Sequence, residues 1–262
     1  MTERYRVRPN GASASPPMDR GSLSWTMIPM ETRDISIATI TWARDSGEEA
    51  LLRRALTRLT SLGMRVAVAD AGTNASFAEF LRQQPGVTLT IPNERGLIAQ
   101  VEASLVIAEG FATRFVLYTE PDKDTFFEQR LPRFMAAAPD APTTGVVLAT
   151  RSDASFATYP SIQQYTEGVA SHLCGEIIGV RGDYFYGPFL IARSLIAPAP
   201  RFDRALGWGW RPAMFVAAHR AGLDVVLVPD DHPCPPDQRA ETPGERTHRL
   251  RQLSQNIAGL AT

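Results

Sequence analysis

Phe115-Val116-Leu117-Tyr118-Thr119-Glu120-Pro121-Asp122-Lys123-Asp124 begins with four apolar or aromatic residues and then breaks into acids separated by a proline. The apolar run reads as a buried strand. Pro121 stops it, because proline offers no donor to a sheet ladder. In an open α/β sheet, ligands gather outside the carboxyl ends of the strands, which places Glu120 and Asp122 at the mouth of a crevice. Alternate residues of an extended chain lie on one side, so these two carboxylates are spaced to reach one hard cation.

Towards the N-terminus the same arrangement recurs. Leu97 to Ala108 repeats apolar residues at helical spacing after the polar turn Pro92-Asn93-Glu94-Arg95-Gly96, and Val87 to Ile91 before that turn reads as a short strand. Ala75 to Gln84 is a helix closed by Pro85-Gly86, and Met64 to Ala69 is a strand running into Asp70-Ala71-Gly72-Thr73-Asn74. Further up, Leu51, Leu52, Ala55, Leu56 and Leu59 form a helical stripe that Asp45 or Ser46 caps and Gly63 ends. Asp34 to Trp42 alternates isoleucine with small residues and makes the first strand. Strand, helix and strand in this order form right-handed parallel units. The fold expected is a single large α/β domain, a mostly parallel Rossmann-like sheet flanked by helices.

Towards the C-terminus, Phe126 to Ala138 is helical with Pro132 kinking or dividing it, and Val146 to Thr150 is a strand. From Arg151 to Thr166 no period is visible, which suggests mobile loops. Gly182 to Ile191 returns to β character, Arg211 to Ala221 is a helix ended by Gly222, Leu223 to Val228 is a closing strand, and Glu245 to Ala258 is a last helix. Residues 1–33 are polar and aperiodic and read as a disordered leader. The chain thus divides into a first half over 34–150, a second half over 151–232 and a tail with a helix over 233–262. No internal repeat is evident.

The 262 residues suffice for a full core. A formal net charge of −1 with 21% charged residues lacks the basic excess that nucleic-acid or anionic-membrane partners favour. The two cysteines, Cys174 and Cys234, form neither a CxxC nor a Cys/His cluster, so free thiols in a reducing compartment are expected. With no apolar run of roughly 18 residues and no signal-peptide core, the expectation is a cytoplasmic protein without an integral membrane segment. A homo-oligomer is left open.

Three strand ends carry Asp70-Ala71-Gly72-Thr73, Asn93-Glu94-Arg95-Gly96 and Glu120-Pro121-Asp122 in that order. This order resembles the GT-A glycosyltransferases, most closely the family-2-like group, with D-x-G-[ST], N-x-G and D-x-D loops; the likeness spans roughly residues 34 to 235. It implies a nucleotide-diphospho-sugar donor bound by the half over 34–150, an unidentified hydroxyl acceptor bound by the half over 151–232, and Mg²⁺ or Mn²⁺. Asp122 is then the direct metal ligand, and Glu120 reaches sugar or ribose hydroxyls or binds the metal through water. Asp70 with Gly72 faces the base or ribose, Arg95 with Asn93 and Gly96 the diphosphate, and Thr39 and Thr41 line the base pocket. His232, after the closing strand, is a second metal ligand, with His248 as its competitor.

The resemblance breaks at Arg201-Phe202-Asp203-Arg204-Ala205-Leu206-Gly207-Trp208-Gly209-Trp210-Arg211-Pro212. The family's acidic pair is missing there, and an indole cannot act as a base. Trp208 and Trp210 suit stacking against an acceptor. The enzyme is then retaining, with the leaving phosphate assisting, or Asp183 serves as base, or activity is lost. A non-catalytic sugar-nucleotide-binding domain is therefore the main alternative. A nucleotidyltransferase lacks its G-x-G-T-R loop here, and a dinucleotide oxidoreductase lacks G-x-G-x-x-G.

Overall fold

Six strands that point one way and a seventh set against them build the sheet, in the order β3-β2-β1-β4-β6-β5-β7. A computed structural model of the protein describes residues 34–197 and 202–262; the expected leader over 1–33 lies outside them. The elements run β1 (Ile35–Thr41), α1 (Ser46–Thr60), β2 (Val66–Asp70), α2 (Ala75–Gln83), β3 (Val87–Thr90), α3 (Leu97–Gly110) and β4 (Phe115–Tyr118). These give the expected parallel units, with Ile37 beside Val66 and Leu117 and Val66 beside Val87. After β4 come α4 (Leu131–Ala137), β5 (Thr144–Arg151), α5 (Asp153–Phe156), α6 (Ser161–Ile178), β6 (Phe189–Ala192), α7 (Arg193–Ile196), α8 (Trp210–Arg220), β7 (Asp224–Asp230) and α9 (Pro243–Leu260).

Alternation along the strands divides the core between the two faces of the sheet. Phe115 and Leu117 pack with Leu56, Leu59 and Phe77 of α1 and α2, while Val116 and Tyr118 pack with Val101, Cys174 and Phe215 of α3, α6 and α8. One turn of π-helix, Phe126–Arg130, precedes α4, and Pro132 falls in the first turn of α4, where a missing N–H costs no helical bond. The proline divides this helix.

Two expectations fail. Residues 151–166 are not loops: α5 and the first turns of α6 fill the stretch. The face that α6 buries carries Gln163, Thr166 and Glu167, while Tyr165 and Val169 point outward. Polar residues inside and apolar ones outside erase the periodic signal. The β character from Gly182 is confined to Phe189–Ala192, because Asp183 accepts the backbone N–H of Phe185 and turns the chain. Cys174 and Cys234 are buried and unpaired. Among the described residues no helix is long and apolar enough to cross a membrane.

The C-terminal helix is locked rather than loosely attached. A Cβ on Gly259 would lie 1.9 Å from the carbonyl oxygen of Gly209, so the backbones of α9 and the turn before α8 touch directly. Gln255 also accepts the Trp208 backbone N–H at 3.1 Å.

Candidate active site

The loops that leave β1 and β2 are stitched together before they meet any ligand. Gln100, buried at the start of α3, donates to the carbonyls of Thr41 at 2.9 Å and Ala69 at 3.0 Å. Asp70 accepts from the Thr41 hydroxyl, the Gly72 and Thr73 N–H groups and the Thr73 hydroxyl, all within 2.8 Å. Its carboxylate organises the loop, and Asn74 caps α2 in its place. The result is a crevice of ≈ 1190 Å³ outside the carboxyl ends of β1, β2 and β4.

Thr41, Gly72, Arg95, Gly96, Glu120, Asp122 and Trp208, all expected at the site, line this crevice. Gly96 takes a positive φ of 114° and opens α3, so free N–H groups at a helix N-terminus stand beside Arg95. Thr39 is fully buried within β1 and Asp70 within its loop; neither reaches the crevice wall, and Asn93 lies beside it in the exposed turn.

The acids of the wall differ in availability. Glu48 pairs with Arg44, Glu94 with Arg204 at 2.6 Å, and Glu245 with Arg249 at 2.7 Å. Glu120 is in ionic contact with the buried Arg211, which stacks 4.6 Å under the ring of Trp208. Burial draws the Arg211 guanidinium down to about 10, which leaves it charged at neutral pH. Neither Glu120 oxygen accepts an aligned hydrogen bond, and Arg211 Nε and the Tyr118 hydroxyl have no hydrogen-bond partner among the described residues. Asp122 is different. Its side chain is 42% exposed, and among the described residues only Lys123 pairs with it, at 3.6 Å.

Three expected site residues lie elsewhere. His232 is buried, its ring stacked 4.3 Å on Tyr186 and edge-on to Phe126; burial lowers its pKa to about 4. It is a packing residue off the crevice wall, whereas His248, from α9, lies on that wall. Trp210 is fully buried against Tyr118, Phe189 and Phe202, which removes it from contact with an acceptor. Asp183 sits beside a second cavity of ≈ 900 Å³. There Arg151 donates to it from its backbone, Nε and Nη2 at 2.7–3.1 Å. Burial opposes its charge, but those bonds hold its carboxyl below the usual range. A carboxylate so engaged is a poor base.

Sequence reasoning assigned no role to Trp42, Arg211 or Arg249. Trp42 is 62% exposed on the crevice wall directly after β1, and a large aromatic just past a strand end was the available signal. Arg211 and Arg249 carried none, since their placement depends on how α8 and α9 pack. A divalent cation fits the donor chemistry here in one way. Among the described residues no three His, Cys, Asp or Glu side chains form a metal cluster, but Asp122 offers hard oxygen to an ion that keeps water and takes its other ligands from phosphates.

No family model matches the chain, and no curated protein does. Solved structures do. Glucosyl-3-phosphoglycerate synthase from Mycobacterium tuberculosis, in complex with Mn²⁺, UDP and glucosyl-3-phosphoglycerate, is 13% identical with a TM-score of 0.58 over 87% of this chain and 80% of that one. The same enzyme with Mn²⁺ and UDP-glucose is 15% identical, TM-score 0.58, over 87% and 79%. Mannosyl-3-phosphoglycerate synthase from Rubrobacter xylanophilus is 13% identical, TM-score 0.64, over 87% and 72%. At these identities the likeness is one of fold, and the fold is the GT-A architecture expected from the order of the strand-end loops.

Proposed function

We propose that the protein is a glycosyltransferase that moves a sugar from a nucleotide-diphosphate donor to a hydroxyl acceptor with the help of Mn²⁺ or Mg²⁺. The observation that carries this reading is the crevice itself. Among the described residues it holds one carboxylate without an arginine partner, Asp122, on the same wall as a helix N-terminus and Arg95, while its other acids are engaged by arginines. Solved structures of the same fold that bind Mn²⁺ with UDP or UDP-glucose support it.

In this reading Trp42 stacks on the base, because Asp70 has its acceptors occupied within the loop. Arg95 and the first N–H groups of α3 hold the diphosphate, matching planar donors and a positive helix end to phosphate oxygens. Asp122 holds the cation, which when bound offsets the charge that develops on the departing diphosphate. Glu120, in contact with Arg211, reaches the hydroxyls of the sugar. Asp183 is locked to Arg151 and four of the five acids on the wall pair with arginine, so no carboxylate is free to deprotonate the acceptor. The departing phosphate then takes that proton on the face it leaves, which gives retention.

The missing acidic pair also favours a second reading, sugar-nucleotide binding without turnover. A thermal-shift panel of UDP, GDP, TDP and CDP with and without Mn²⁺ tests what both share, since a ligand of the native state raises its stability. One nucleotide should stabilise the protein, more so with Mn²⁺, and Asp122→Ala should remove the metal-dependent part. Release of that nucleotide from its sugar conjugate separates transfer from mere binding. No rise with any nucleotide, in folded protein, rejects the site.

A further inference from the structure

We infer that the acceptor is an uncharged sugar or glycoside, bound face-on to Trp208, and not a phosphorylated acid. This rests on the glycosyltransferase reading and concerns the part of the crevice that the donor leaves open.

The balance of charge on the wall is the first ground. Five carboxylates line it, four of them paired with arginines, and of the arginines three stand on the wall itself. Arg44 is engaged by Glu48, and Arg249 by both Glu245 and Glu167, the latter at 3.3 Å. Among the described residues Arg95 alone of the three makes no ion pair, and the donor diphosphate claims it. A phosphate and a carboxylate on one acceptor each call for charge-assisted donors of their own. Such an acceptor would find no uncommitted guanidinium on this wall.

Trp208 is the second ground. Its indole is partly exposed on the wall, one face rests on the Arg211 guanidinium, and its backbone is tied to Gln255 of α9. That fixes the ring as a platform whose open side suits the apolar face of a sugar. Gln238, Thr242 and His248 lie on the same wall and offer the paired donors and acceptors that hydroxyls need.

The test uses the full chain with UDP-glucose or GDP-mannose and Mn²⁺, following nucleotide release in the presence of methyl α-glucoside, methyl α-mannoside or 3-phosphoglycerate. One of the methyl glycosides should accelerate release about tenfold or more over 3-phosphoglycerate at equal concentration. Trp208→Ala should raise the glycoside KM about tenfold, with most of the loss restored in Trp208→Phe. Faster release with 3-phosphoglycerate overturns the inference. So does the failure of both glycosides in protein that binds the donor, or a Trp208→Phe variant as impaired as Trp208→Ala. Failure to bind either donor is a distinct result, and it removes the underlying reading together with this one.

Discussion

Two groups of acids stand at the carboxyl ends of the sheet, Glu120 with Asp122 after β4 and Asp183 with Glu167 beside the end of β5. Asp122 and Asp183 are alike in residue type and opposite in environment. Asp183 and Glu167 are closed in by Arg151, whose guanidinium lies 4.5 Å from the rings of both Phe156 and Tyr159. Gln163 and Arg249 complete the donors to Glu167. Asp122 faces the crevice with one distant lysine. A carboxylate supplied with donors by its own chain holds the structure together, and one left short of donors is available to a ligand.

Substitutions can break that contrast in order of size. Asp183→Ala leaves the buried Arg151 with Glu167 alone, and the expected loss is about 3–5 kcal/mol in urea unfolding; a change under about 1 kcal/mol would mean that the network is not holding α6 to β5. Acid should act next, through His232. Its folded pKa of about 4 lies below the ordinary 6.5, so between these values the unfolded chain binds a proton that the folded chain refuses. Stability is therefore full above pH 6.5 and falls as pH drops towards 4, by up to about 3 kcal/mol from this group. His232→Phe should flatten the fall, and an unaltered profile would place its cause in other groups.

Effects on the crevice side should appear in binding and leave folding nearly untouched. Trp42→Ala is expected to weaken nucleotide binding by about 1–3 kcal/mol, read by calorimetry, and equal affinity would take the base elsewhere. Smallest of all is the cost of Asp122→Asn to stability, expected within about 0.5 kcal/mol. A larger loss would place Asp122 with Asp183 among the structural acids and erase the distinction.

The alternation of apolar residues and the polar strand ends made β1 to β4 legible from sequence, along with Gly72, Gly96 and Asp122 at the crevice. Local patterns dictate these positions. His232 and Asp183 misled because a histidine or an acid near a strand end looks the same whether it meets a ligand or a neighbour such as Tyr186 or Arg151. Trp208 and Trp210, two residues apart, diverge completely, one on the crevice wall and one in the core. The turn Arg204–Gly209, where Gly207 takes a φ of 52°, sets that divergence, and no periodic signal encodes it. Helix α6 was hidden because its polar residues face inward.

The direct contact of Gly209 with Gly259 has a consequence for the order of assembly. Helix α9 supplies Glu245, His248 and Arg249 to the crevice yet follows all seven strands in the chain. As the polypeptide emerges from the ribosome, the sheet can be fully paired while one wall of its crevice is still unmade. The wall that faces Trp208 is then completed only when α9 docks, so a nascent chain holds a paired sheet before it has a finished crevice.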